Sequence, residues 1–237
     1  MQTTIAQPRA FLLDAGNTVV FLDREVVAAT LRDQGHRHVS ASAVAQALRP
    51  ATARYAARLR DGAAHEDGWR AFMATLVREV SVPHEDVERS VDALRREHDR
   101  FNLWRHVPKH VRAALHRFRA TGRPVAIVSN SEGHLDRLFA RTELTDMFDV
   151  VIDSAHEGVR KPDPELFRRA LARLGLSAPG CLYAGDIPDV DVVGARAAGL
   201  QPILIDALDQ HPSFTAAPRL PSLAHLADAI GLPPASG

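Results

Sequence analysis

Cysteine, lysine, net charge and long apolar runs are all scarce in this sequence, and each scarcity removes a class of explanation. Cys181 is the only cysteine in 237 residues, which excludes an internal disulfide and a cysteine-built zinc site and favours a reducing compartment. Acidic and basic residues number 29 each, so no net field draws in nucleic acid or an anionic membrane surface. No apolar stretch approaches the ~20 residues of a membrane-spanning helix. Residues 1–10 lack the basic start and the apolar run of a secretory leader. A cytoplasmic protein with no nucleic-acid or membrane partner is therefore expected. Of the 29 basic residues only Lys109 and Lys161 are lysines, so any chemistry that needs an ammonium group has two candidates.

What is present is a chain of 46% hydrophobic and 24% charged residues, the composition of a soluble globular protein long enough for one domain, or for a domain carrying an inserted smaller one. Phe11-Leu12-Leu13 suits a short buried strand, and Asp14-Ala15-Gly16-Asn17-Thr18 supplies turn chemistry directly after it. Asp14 therefore falls at the C-terminal end of a strand, the edge at which open α/β sheets bind ligands. Read alone, it is equally a turn or N-cap aspartate.

Residues 19–23 fit a short strand or flap. From 24 to about 100 the pattern is helical, with segments at 25–33, 40–60 containing Pro50, 66–80 and 83–100. Ser40 is a plausible N-cap. Residues 102–104 read as a return linker. Helix and strand then alternate: helix 108–121 closed by Gly122, strand 124–128, helix 135–144, strand 148–152, helix 164–174, strand 181–184, helix 192–198 ending at Gly199, and strand 202–205. A short helix near 222–230 closes the chain. Single helices between strands predict a doubly wound parallel α/β sheet, with core residues 1–22 and 105–237 and an inserted helical domain over 23–104. Trp69 and Phe72 are expected in the core of that insert, with an interface as the alternative.

In such a sheet four sets of residues converge on one edge: Asp14 to Thr18, Ser129-Asn130, Lys161-Pro162-Asp163-Pro164, and Gly185-Asp186 to Asp191. Each has an ordinary reading as a turn, a cap or a solvated side chain. Together they form a chemical set. Asp14, Asp186 and Asp191 at one edge repel one another unless a cation sits among them, which calls for a hard divalent ion, and magnesium is the natural choice. An ionised aspartate can attack phosphorus and form an aspartyl-phosphate that water later cleaves, with metal and Lys161 stabilising the charge that develops.

The same stretches resemble the four motifs of the haloacid-dehalogenase-like (HAD) hydrolase superfamily, in order and over nearly the whole chain. Asp14-Ala15-Gly16-Asn17-Thr18 resembles the first motif, Val128-Ser129-Asn130 the second, Lys161-Pro162-Asp163-Pro164 the third, and Gly185-Asp186 through Asp191 and on to Gly199 the acidic fourth. The insert resembles the small helical cap of the subgroup that includes many phosphatases, 2-haloacid dehalogenases, phosphonatase and β-phosphoglucomutase. The resemblance implies a Rossmann-like core and Asp14 as nucleophile, with Ser129 hydrogen-bonded to the transferring group and Lys161 stabilising its charge. Asn17, Thr18 and Asn130 become the substrate-side residues. Mg2+ would be held by Asp14, the carbonyl of Gly16 and Asp186, and Asp191 would act through water or by orienting Lys161.

One position departs from the pattern. Family phosphatases carry an acid/base aspartate two residues after the nucleophile, where this chain has Gly16. Loss of such a group is typically worth ~10²–10⁴-fold in rate. A phosphohydrolase on a small phosphorylated metabolite is the preferred expectation, either limited to good leaving groups or borrowing an acid from Asp23, Glu25, His36 or His38. A 2-haloacid dehalogenase needs no such acid, but Asp186 argues against it, because those enzymes work without metal and lack this acidic motif. Phosphonatase chemistry needs a cap lysine, and residues 23–104 hold none. A catalytically weak binding protein on the same fold is the remaining alternative.

Overall fold

The computed structural model describes residues 5–62 and 64–234; residues 1–4, 63 and 235–237 of the expected core and insert lie outside the described residues. In chain order the elements are β1 (Phe11–Leu13), β2 (Phe21–Leu22), α1 (Arg24–Asp33), α2 (Ala41–Arg60), α3 (His65–Glu79), α4 (Val87–Arg100), β3 (Trp104–His106) and α5 (Lys109–Ala120). They continue with β4 (Val125–Ser129), α6 (Leu135–Arg141), β5 (Val150–Asp153), α7 (Ser154–Glu157), α8 (Pro164–Leu174), β6 (Leu182–Gly185), α9 (Val193–Ala197), β7 (Gln201–Ile205), β8 (Arg219–Leu220) and α10 (Leu223–Ala229). The chain forms two compact units, residues 1–21 with 106–237, and residues 22–105.

The first unit is a six-stranded sheet in the order β5-β4-β1-β6-β7-β8, parallel throughout. β1 lies between β4 and β6, with Leu13 level with Ile127 on one side and Ala184 on the other. Phe11, Leu12 and Leu13 are fully buried, as a central strand covered on both faces must be. Phe11 stacks on Phe118 of α5 at 4.4 Å. Leu12 instead packs in a cluster with Phe167 and Leu166 of α8, Tyr183 of β6 and Ala195 of α9. Burying each such side chain stabilises the fold by about 1.5–3 kcal/mol.

The described residues of the second unit form a four-helix insert with its own core, in which Trp69, Phe72, Met73, Leu76 and Leu94 are buried. Trp69 and Phe72 are thus core residues, as expected. Ser40 caps α2, its hydroxyl accepting from the Ala43 N–H at 3.1 Å, and α2 continues through Pro50 to Arg60.

The structure differs from the sequence expectations at short elements. Trp104 is not linker but the first residue of β3, which pairs with β2. α6 stops at Arg141, so residues 142–144 of the expected 135–144 helix are not helical, and a single tight turn follows at Thr145–Met147. The sheet has six strands rather than five: β8 is two residues long and is held through Leu204 and Ile205 of β7, too short to carry a period in sequence. Among the described residues no helix is long and apolar enough to cross a membrane.

Candidate active site

Parallel strands deliver their following loops to one edge, and the loops after β1, β4 and β6 carry Asp14, Asn130 and Asp186. The Asp14 N–H donates to Ala184 O at 2.8 Å, extending the β1–β6 ladder by one residue. The chain then turns tightly. Val19 and Val20 both donate to Ala15 O at 2.9 Å, and Asn17 N–H donates to Val20 O at 2.8 Å. Asn17 sits at φ +53°, a left-handed conformation that asparagine tolerates better than most residues. That geometry sends its amide to Asp186, with Nδ2 donating to Oδ2 at 3.0 Å.

Lys161 is the hub. Its ammonium, 2% exposed, donates to Asp14 Oδ1 at 2.5 Å, to Asp191 Oδ1 at 2.7 Å and to Tyr183 Oη at 2.7 Å. An ammonium has three protons, so all three have partners. The backbone of Lys161 is clamped as well, its N–H donating to Asn130 Oδ1 at 2.8 Å and its carbonyl accepting from Asn130 Nδ2 at 3.0 Å. The Lys161–Pro162 peptide that follows is cis. Asp191 is equally committed, its Oδ2 accepting from the Ile187 N–H at 2.8 Å.

Two glycines make room for this arrangement. A Cβ on Gly185 would lie 2.4 Å from Asp191 Cγ, and one on Gly194 would lie 2.8 Å from Pro162 O and 2.7 Å from the Phe167 ring. Only glycine lets the end of β6 and the turn of Pro188–Val192, which leads into α9, close around Lys161 and Asp191.

Electrostatics follow from the burial. Burial raises the Asp14 carboxyl to about 6, with the negative charge of Asp191 adding to it and Lys161 opposing. Burial also pushes Asp186 well above the ordinary carboxylate range, reinforced by Asp14 and Asp191. For Lys161 burial works the other way, but Asp14 and Asp191 outweigh it and hold the ammonium above its ordinary value. The Tyr183 phenol is likewise raised, by burial and then by Asp191 and Asp14, so it stays protonated.

One oxygen each from Asp14, Asp186 and Asp191 lies within 4.8 Å of the others. Three carboxylates against one ammonium leave two negative charges in surplus, the charge of one divalent cation. The donor set suits magnesium, which takes oxygen ligands from one or two carboxylates. Asn17 occupies Oδ2 of Asp186 and Lys161 occupies Oδ1 of Asp14, whereas both oxygens of Asp191 are occupied.

The structure therefore brings together Asp14, Lys161, Asp186 and Asp191, with Asn17 bonded to Asp186. Ser129 ends β4 at this edge, 4% exposed, outside the Lys161 hydrogen-bond set. Asn130, expected on the substrate side, gives its amide to Lys161, and the Thr18 hydroxyl is buried with no partner among the described residues. Sequence reasoning missed Tyr183. The available signal was a phenol in an otherwise apolar strand, since a buried tyrosine hydroxyl has to find a partner. Of the residues considered as a borrowed acid, Glu25 is exposed in the first turn of α1 and the other three have occupations within the insert. Asp23 caps α1 through the Val26 N–H, His36 is buried against the Ser90 hydroxyl at 3.2 Å, and His38 Nε2 lies 3.1 Å from Val80 O.

Comparison with known proteins bears on family and fold. The family model described as haloacid dehalogenase-like hydrolase matches residues 8–199. The chain is 33% identical over 123 residues to haloacid dehalogenase-like hydrolase domain-containing protein 3 of Mus musculus, covering 50% of this chain and 49% of that protein. It is 32% identical over 138 residues to a phosphoserine phosphatase of Thermus thermophilus, covering 58% and 53%. The aligned part thus spans about half the length of these relatives. The fold is shared with the magnesium-bound putative HAD-hydrolase YfnB of Bacillus subtilis, at TM-score 0.71 and 19% identity over 95% of this chain and 100% of that one.

Proposed function

The chain belongs to the haloacid dehalogenase-like hydrolase family, and on that premise we propose that it is a magnesium-dependent phosphohydrolase acting on a small phosphorylated metabolite in the cytoplasm. The observation that carries this reading is the cluster of Asp14, Asp186 and Asp191 around Lys161, whose surplus of two negative charges fits one divalent cation. Asp14, Asp186 and the Gly16 carbonyl would hold that cation. When bound, magnesium supplies positive charge that orients the phosphoryl oxygens and offsets their developing charge.

The remaining steps belong to the chain's own groups. Lys161 keeps Asp14 ionised and aimed, at 2.5 Å. Asp14 attacks phosphorus, so that an Asp14–phosphorus bond forms as the bond to the leaving oxygen breaks. Ser129 and Thr18 are the hydroxyls available to the transferring group, and Asn17 holds Asp186 in place. Gly16 offers no proton, so the leaving oxygen departs as an anion or takes its proton from water. Acyl and aryl phosphates, whose anions are stable, are the fitting class. Water then cleaves the aspartyl-phosphate and restores Asp14. The phosphatase name carried by the relative from Thermus thermophilus supports the same reading.

The test is magnesium-dependent phosphate release over a panel of phosphate esters and anhydrides, compared with Asp14→Asn. Turnover by the parent alone is expected, fastest on acyl and aryl phosphates. No turnover across the panel refutes the reading. Halide release from 2-chloropropionate that persists in chelator would put a dehalogenase in its place.

A further inference from the structure

We infer that Tyr183 is a positioning residue of this site, the third leg of a tripod that holds the Lys161 ammonium against Asp14. The inference rests on the phosphohydrolase reading for its catalytic consequence, but its structural basis is independent of any bound group. Two legs of the tripod are carboxylates, Asp14 and Asp191, at 2.5 and 2.7 Å. They compete for the same cation. The third is the neutral phenol at 2.7 Å, which accepts the remaining proton without adding charge.

The phenol is itself anchored. Its oxygen lies 2.8 Å from Asp191 Oδ1 and 3.1 Å from the Val128 carbonyl, so its own proton has an acceptor while it accepts from Lys161. Val128 directly precedes Ser129 on β4, and Tyr183 is on β6, on the other side of β1. A single hydroxyl therefore ties the position of Lys161 to the strand that presents Ser129, and does so beside the strand that presents Asp14. The ring is immobilised by Phe167 of α8, edge-on at 4.8 Å, and the residue is fully buried. An apolar core position at this point in β6 needs only the ring. The hydroxyl is explained by Lys161, because without it one N–H of a 2% exposed ammonium has no partner.

Tyr183→Phe tests this, since it keeps the ring. Hydrogen bonds to charged groups are strong enough that kcat should fall about ten-fold while KM changes by less than about two-fold. A second readout needs no turnover. Because Lys109 and Lys161 are the only lysines, 15N-lysine labelling yields two side-chain signals. In the parent protein the Lys161 ammonium should exchange its protons with water far more slowly than that of Lys109, and Tyr183→Phe should speed that exchange at least about ten-fold as the tripod opens.

Equal exchange at both lysines in the parent overturns the inference, whether or not the variant folds. So does a folded Tyr183→Phe protein with unchanged Lys161 exchange and unchanged kcat. A parent with no phosphatase activity but a protected Lys161 signal, lost in the variant, would sink the phosphohydrolase reading while leaving Tyr183 as the group that holds the lysine.

Discussion

Replacing Asp14 by asparagine should stabilise the metal-free protein above pH 6 while abolishing turnover. The buried carboxyl is raised from its ordinary 3.8 to about 6. The native state therefore keeps its Asp14 proton to higher pH than the unfolded chain does. By linkage the native state loses stability as pH rises from about 4 to about 6, and the full penalty is present above that. The displacement corresponds to on the order of 3 kcal/mol, which for a chain of this size is a difference of about 6–12 °C in Tm. Asp14→Asn keeps the side-chain volume and removes the titration together with the ionic bond to Lys161, whose opposing effect is already contained in the net shift. The assay is thermal unfolding of parent and variant in chelator at several pH values between 4 and 8. The variant's advantage should be small near pH 4 and grow to its plateau above pH 6. Millimolar magnesium should erase most of it by stabilising the parent alone, because a ligand that binds only the folded form raises its apparent stability. A parent whose Tm in chelator does not fall relative to the variant over this range, or that ignores magnesium at pH 8, would refute the electrostatic account of the cluster.

Three further perturbations separate the parts of the site. Gly16→Asp should raise kcat on alkyl phosphates about 10-fold or more by restoring a proton donor; an unchanged or lower rate in steady-state assays would show that the acid comes from elsewhere or that the site is built for other chemistry. Gly185→Ala sets a methyl group 2.4 Å from Asp191 Cγ, so Asp191 must leave Lys161; loss of about 1–3 kcal/mol in urea unfolding is expected, together with loss of activity. Asn17→Ala removes the donor on Asp186 Oδ2 and should raise the magnesium concentration for half-maximal activity about 10-fold or more, as removal of groups that orient metal ligands does, read from a magnesium titration of initial rates.

Much of the architecture was legible because it rests on local rules. Each apolar run that stops at small polar residues became a strand of the sheet: β1 before Asp14, β4 ending at Ser129, β6 ending at Gly185. Helix ends followed their caps, as at Ser40, Asp163 with Pro164, and Gly175. What escaped was short or non-periodic. β8 exists because the chain after β7 folds back beside it, and β3 because it meets β2; neither two- nor three-residue segment has a pattern of its own.

Sequence by itself supplied the candidate inventory: which carboxylates and which lysine fall in the segments that follow strands and, by the family resemblance, that Gly16 stands where family phosphatases are expected to carry an acid. Tertiary structure alone decided the wiring. Asn130 and Lys161 are 31 residues apart and Tyr183 and Lys161 are 22 apart, separations over which no local periodicity carries information. Asn130, expected beside substrate, clamps the Lys161 backbone. Asp191 has both oxygens occupied, and Tyr183, passed over in sequence, completes the lysine's third bond. The physical reason is that a buried polar group must be satisfied by whatever the fold brings within reach. Residue type says how many bonds are needed, and only the packing of β4, β1 and β6 says with whom.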